Sequence, residues 1–177
     1  MRHESRRHLL QRYQKERQRN VLAKPGCHAF VLVLDRLKAG YNVGKILRSA
    51  EAFGARAVHL VGIGPFDPSP AKGALRKVPA RFHDNIEPCL AELVGAGYTL
   101  FLLAPGAAAA LPVTALPEKS AFILGHEEFG ASFDPATIPG LHLLAIPQFG
   151  QVQSLNVSVA AGVVMYEYVR QHSPCAG

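Results

Sequence analysis

The chain has 177 residues, 49% hydrophobic and 18% charged, with 19 Lys and Arg against 13 Asp and Glu. That is enough for one domain with a real core, too apolar for a disordered tail, and without an apolar run long enough to span a bilayer. The charged N-terminus lacks an apolar signal core, and Cys27, Cys89 and Cys175 are few and widely spaced, so a reducing cytoplasm is expected rather than export or a disulfide framework.

The positive charge is concentrated at the start. The first 20 residues hold seven basic side chains (Arg2, Arg6, Arg7, Arg12, Lys15, Arg17 and Arg19) against Glu4 and Glu16, and the remainder is nearly neutral. Residues 1–25 are read as a basic arm, helical from Arg6 to Arg19 along a thin apolar line at Leu9, Leu10 and Tyr13 that could dock on the body or on a partner subunit. A cationic arm attracts a polyanion by releasing its counterions; a solvated tail is the equally weighted alternative.

Pro25-Gly26 breaks the chain, and residues 26–177 read as one domain. Ala29 to Asp35 is a nearly continuous apolar run, as in a strand covered on both faces. Asn42 is placed as the N-cap of a helix to Phe53, with Gly54 as its stop. Ala57 to Val61 is a second strand, Pro65 to Pro70 a turn-rich loop, Ile86 to Val94 a helix and Tyr98 to Leu103 a strand. Pro105 to Pro117 is Ala-rich and ambiguous. Ser120 to Leu124 and Leu141 to Ile146 are short apolar strands, and Ser154 to Gln171 is the last helix, with Ser154 as its N-cap. Strands alternating with helices predict an α/β fold, a mainly parallel sheet with helices on both faces.

Three segments carry polar groups in that frame. On the helix after Asn42, Val43, Ile46, Leu47, Ala50 and Phe53 form one apolar stripe, and Arg48 lies opposite it with Lys45 one turn before. A planar, permanently charged guanidinium suits phosphate recognition, although a lone helical Arg is by default a surface residue. Gly125-His126-Glu127-Glu128-Phe129-Gly130 is a glycine-bounded acidic turn at a strand end, where glycine would permit close approach of backbone to a ligand. Its His and Glu do not form an HExxH pair, so no metal is expected. In the third segment, Ser154 and Asn156 sit at the start of an uncharged helix and need partners. Ser158 and Gly162 read more simply as the small face of a buried core helix. Gly62-Ile63-Gly64 lacks the third glycine of a dinucleotide loop, and no GxxxxGK[ST] phosphate loop is present.

Together these segments resemble the three signature motifs of the SpoU/TrmH-type RNA methyltransferases of the SPOUT superfamily. The first is DRLKAGYNVGKILRSAEAFG at 35–54, with Asn42, Gly44 and Arg48; the second is LGHEEFG at 124–130; the third is IPQFGQVQSLNVSVA at 146–160. The chain departs from common forms at Lys38, Ala39, Gly40, His126 and Gln148. The resemblance covers about residues 29 to 171 and implies a C-terminal trefoil knot and a homodimer with the active site at its interface. It implies S-adenosylmethionine-dependent methylation of a ribose 2′-hydroxyl in tRNA or rRNA. Carried over by position, Arg48, Asn42, Glu127 and Asn156 would be catalytic, and Leu103, Gly125, Ile146, Ser154 and Leu155 would contact the cofactor. Arg6, Arg7, Arg12, Lys15, Lys45, Arg76 and Lys77 would contact RNA. A non-catalytic RNA-binding protein of the same fold, or an RNA base methyltransferase, are the alternatives.

Overall fold

The computed structural model describes residues 2–173, with side chains from Arg7 onward; the side chain of Arg6, and Cys175, lie outside the described residues. Seven strands form one sheet: β1 (Val31–Asp35), β2 (Ala57–Val61), β3 (Ala80–His83), β4 (Thr99–Leu103), β5 (Ala109–Ala110), β6 (Ser120–Leu124) and β7 (His142–Ala145). Their spatial order is β3-β2-β1-β6-β4-β7-β5, and every pairing is parallel. Among the described residues four α-helices accompany them: α1 (Arg2–Arg19), α2 (Tyr41–Ala52), α3 (Ile86–Gly95) and α4 (Val157–His172). Among the described residues no helix is long and apolar enough to cross a membrane.

Strand alternation builds two cores. Leu32, Leu34, Phe101, Phe122 and Leu124 face one side, where Val43, Ile46 and Leu47 of α2 and Ala161, Val164, Met165 and Tyr168 of α4 cover them. Val31, Val33, Leu100, Leu102, Ala121 and Ile123 face the other, against Ile86, Cys89, Leu90 and Leu93 of α3. Burying each large aliphatic side chain contributes about 1.5–3 kcal/mol, so the uninterrupted apolar runs of β1 and β6 are stable only at the sheet's centre.

The basic N-terminal segment is a docked helix. Tyr13 is buried edge-on against Phe66, and Arg17 lies 4.2 Å over the Phe82 ring. Arg12 donates to Ser69 Oγ at 2.6 Å. Just after α1, the Asn20 amide donates to the carbonyls of Leu75 and Val78 and accepts from Ala80 N–H. Of the apolar line expected to dock, Tyr13 is buried and Leu9 and Leu10 are half-buried.

Both expected caps are corrected. Helix α2 starts two residues earlier, at Tyr41, with Gly40 as its N-cap; Asn42 lies in the first turn, and its side chain bonds to other segments. Helix α4 starts at Val157 with Asn156 as its N-cap, whose side chain accepts from Ser158 N–H. Ser154 is exposed three residues before the helix. Nor is α4 buried all round: Val159, Val163 and Tyr166 face outward, and a Cβ on Gly162 would meet open space. Strand β3 was missed, because its Ala-Arg-Phe-His sequence has no apolar run and it lies at the sheet edge.

Candidate functional site

The first motif ends β1 and opens α2, the second leaves β6, and the third leaves β7 and enters α4. Since β1, β6, β4 and β7 are parallel neighbours, their carboxyl ends bring these loops to one edge, where open α/β sheets bind ligands. A cavity of about 640 Å³ lies there, a size that suits a small organic cofactor. Its walls include Leu103, Pro105, Gly125, Ile146, Leu155 and Ala160. All five residues expected to contact a cofactor (Leu103, Gly125, Ile146, Ser154 and Leu155) line it.

Besides lining the cavity, Gly125 is required by the path of the chain itself. The turn closes as a small hairpin in which His126 and Gly130 exchange backbone hydrogen bonds. A Cβ on Gly125 would stand 2.6 Å from Ala131 N, so the glycine lets the chain pass itself. His126 Nδ1 accepts from Glu128 N–H at 3.0 Å and its ring stacks on Phe129, which fixes the turn from within. Beneath it, buried Asp35 accepts from Ser132 N–H and Oγ, tying the end of β1 to the chain after the turn.

At the cavity's mouth the three motifs are joined by one directional chain of hydrogen bonds. Glu127 accepts from Lys38 N–H at 3.2 Å and from the Asn42 amide at 3.1 Å. Asn42 Oδ1 accepts from the Asn156 amide at 3.3 Å, and Asn156 Oδ1 accepts from Ser158 N–H and Oγ. Partial burial pushes the Glu127 carboxyl up, but the Asn42 amide, backbone N–H groups including Lys38, and nearby His126 outweigh it and hold the carboxyl below its ordinary value. Ionised, Glu127 can only accept, and this orients both amides in the relay. Lys38 Nζ also pairs with exposed Glu128 at 2.6 Å.

Asn42, Glu127 and Asn156 are thus brought together, and Glu127 and Asn156 line the cavity. Arg48 is not part of this group: it is exposed on the outer face of α2, does not line the cavity, and makes no hydrogen bond or ion pair among the described residues. Glu127 therefore holds the loops rather than Arg48. Of the expected RNA contacts, Arg7, Lys15 and Lys45 are exposed, and Arg12 is exposed while bonded to Ser69. Arg76 lies 3.9 Å from Glu16 and Lys77 3.2 Å from Glu51. Sequence reading missed Gln148 as a cavity residue; its buried Oε1 has no hydrogen-bond partner among the described residues. It also missed His59, His83 and Cys89, whose ligating atoms lie within 4.8 Å of one another on the far side of β1. Burial, with His83 and Arg81 adding to it, pushes His59 down to about 3, and burial pushes the Cys89 thiol up to about 12.

Fold and site define an α/β domain with a ligand cavity over the carboxyl ends of a parallel sheet, with a Glu–Asn–Asn relay at its mouth. The chain belongs to the SpoU rRNA Methylase family, which it matches over residues 29–166. It is 36% identical to the 23S rRNA (guanosine-2'-O-)-methyltransferase RlmB of Nitrosomonas europaea across 84% of this chain and 59% of that protein; it thus spans less than two thirds of that relative's length. A solved structure described as giving insights into the 2-OH methylation of C/U34 on tRNA is 30% identical, with a TM-score of 0.70 over 81% of this chain and 96% of that one. The AdoMet-bound rRNA methyltransferase from Sinorhizobium meliloti shares the fold, with a TM-score of 0.75 and 24% identity over 88% of this chain and 61% of that one.

Proposed function

We propose that this chain transfers a methyl group from S-adenosylmethionine to a ribose 2′-hydroxyl of tRNA or rRNA. The observation that carries the reading is the relay Glu127–Asn42–Asn156 at the mouth of a cofactor-sized cavity, because it joins all three family motifs at one place. The 2′-O-methylation for which the rRNA and tRNA relatives are named, and the AdoMet bound in the S. meliloti enzyme, support the same chemistry.

The residues present fit this cofactor. The walls are largely apolar, as an adenine ring and a thioether-like chain require. The orphaned Gln148 Oε1 is an acceptor for an amine or ammonium hydrogen. Ionised Glu127 at the margin suits a ligand that carries a sulfonium charge. Leu103, Gly125, Ile146, Ser154 and Leu155 would hold it, and when bound it supplies an electrophilic methyl group.

A neutral 2′-hydroxyl is a poor nucleophile, so the protein must position it and favour loss of its proton. Arg48 stays charged at ordinary pH and is therefore poorly suited as a base; its role is to grip the adjacent phosphate and stabilise the developing negative charge. Asn42 orients the ribose or its loop, Glu127 fixes the first two motifs together, and Asn156 fixes the third. Arg6, Arg7, Arg12, Lys15, Lys45, Arg76 and Lys77 supply phosphate contacts, those now paired with Glu16 or Glu51 by exchanging partners.

The working unit in this reading is a homodimer. Arg48 has no partner among the described residues of its own chain, and α4 carries an outward apolar face at Val159, Val163 and Tyr166. Pairing across that face would let Arg48 of one copy serve the cavity of the other. The reading also includes division into a basic arm (1–25) and a catalytic domain (26–177), a trefoil knot formed by the segment through the third motif, and a place in the cytoplasm beside the RNA substrate.

The test is incubation with methyl-labelled S-adenosylmethionine and unmodified tRNA or rRNA, followed by digestion to nucleosides. Label on a 2′-O-methyl nucleoside is expected, and the fraction that carries it names the substrate. Label on a base would replace the reaction with base methylation. No label together with no cofactor binding would favour the non-catalytic RNA-binding alternative.

A further inference from the structure

Outside the cavity the fold gathers three side chains that have no place in methyl transfer. His59 projects from β2 toward α3. The parallel register sets Arg81 beside His59, and His83 two residues further along β3 on the same face. Cys89, one turn into α3, descends onto them. His59 Nδ1 lies 3.0 Å from His83 Nε2 and 3.4 Å from Cys89 Sγ, and the two imidazoles stack within 6° of parallel. His59 and Cys89 are fully buried, while His83 is half-buried and lines a small open cleft with Gly62, Gly64 and Asp84.

Hydrogen bonding alone serves this arrangement poorly. A ring nitrogen carries either one proton or one lone pair, so His59 Nδ1 cannot satisfy both short neighbours. Among the described residues neither imidazole has another hydrogen-bond partner. A single cation between the three atoms would serve all of them. Bond lengths of about 2.0–2.1 Å to nitrogen and 2.3 Å to sulfur, at tetrahedral angles, put ligand atoms roughly 3.3–3.6 Å apart. The two shortest separations here are already near that range.

We propose that His59 Nδ1, His83 Nε2 and the Cys89 thiolate bind a zinc-like divalent cation, with a fourth position left for water on the His83 side. Two imidazoles and a thiolate select a borderline-soft metal over magnesium or calcium, which demand oxygen. As the metal–sulfur bond forms, the Cys89 S–H proton is released to solvent. The surrounding charges suit the resulting net +1: Arg81 is paired with Glu92, and Asp35 lies on the same side of the sheet. The ion would fasten edge strand β3 to α3, in a role separate from the methyltransferase cavity and independent of that assignment.

The test uses the 177-residue chain without an affinity tag, in a Cys27→Ser, Cys175→Ser background that leaves Cys89 as its one thiol. Cobalt(II) is added in place of zinc and the visible spectrum is recorded. A tetrahedral d–d band with a sulfur charge-transfer band is expected, saturating at one ion per chain, displaced by zinc and unaffected by magnesium. Cys89→Ala and His83→Gln should each remove the spectrum while leaving S-adenosylmethionine binding intact, which shows that the variants are folded. Should either lose cofactor binding as well, zinc-dependent elevation of Tm in the unsubstituted chain decides: a rise supports the site, and no rise overturns it. A chain that takes up no cobalt, or folded variants that keep the full spectrum, also overturns it.

Discussion

Glu127 is the residue on which the three motifs converge, and its environment makes a testable demand. Its two oxygens accept from Lys38 N–H and the Asn42 amide, a pattern that only a carboxylate meets fully. Glu127→Gln keeps the shape but turns one acceptor into a donor facing a donor. Hydrogen bonds to charged groups are worth about 1.5–3 kcal/mol when well buried, and partial exposure here reduces that. We therefore expect a loss of about 1 kcal/mol in denaturant unfolding at neutral pH, with a larger effect on turnover, because both amides of the relay lose their orientation. The acid dependence follows from the depressed carboxyl. The stabilisation is present above the ordinary glutamate value of 4.5 and is lost as pH falls through the lower folded-state value. The stability gap between wild type and Glu127→Gln should thus narrow as pH falls from 4.5 through that lower value; a gap that widens on acidification would contradict the assignment. The residues of this relay were legible in the sequence as motif members. Their partnerships were not, because Asn42 bonds across 85 positions to Glu127 and across 114 to Asn156, and no local rule reaches that far.

At the scale of elements, hydrophobic periodicity located most strands and helices, while capping rules placed two helix starts wrongly. Asn42 and Ser154 both have the chemistry of an N-cap. Asn42 is instead drawn into contacts between loops, and the chain stays extended past Ser154 so that the third motif can line the cavity before α4 begins at Val157. The cap itself is Asn156, which bonds Ser158 N–H with its oxygen and Asn42 with its amide. Asn156→Ala should cost about 1 kcal/mol for the missing cap, plus the link to Asn42. Ser154→Ala should change stability by less than about 0.5 kcal/mol. Equal losses in denaturant unfolding would mean that the helix starts where the sequence first suggested. Edge strand β3 was illegible for a related reason: its alternate residues Arg81 and His83 are polar, and they find partners only on assembly, Arg81 with Glu92 of α3 and His83 with His59 of β2.

For the whole molecule, the proposed function asks how cations far from the cavity would act on one RNA. Arg7, Lys15 and Lys45 are exposed, and α1 is held to the body by Tyr13, Arg12 and Arg17, so its charges form a fixed surface rather than a loose tether. Replacing Arg7 and Lys15 by Gln should weaken RNA binding and reduce the slope of log affinity against log salt by about one for every phosphate that is no longer neutralised. An unchanged slope would remove α1 from the interface. Arg48 raises the same question at the proposed active site, since it lies outside its own chain's cavity. Arg48→Ala should reduce turnover by about 10²–10³-fold, the range for removing one transition-state donor, with cofactor binding kept. Ala160→Phe should block the cavity that Ala160 lines and abolish cofactor binding. Each variant alone should then be inactive. In a self-complementary dimer whose copies exchange Arg48, mixed dimers of the two variants regain one complete site, a sound cavity in one chain served by the intact Arg48 of the other. Activity should return when the variants are unfolded and refolded together. If Arg48 serves its own cavity, the mixture stays as inactive as its components.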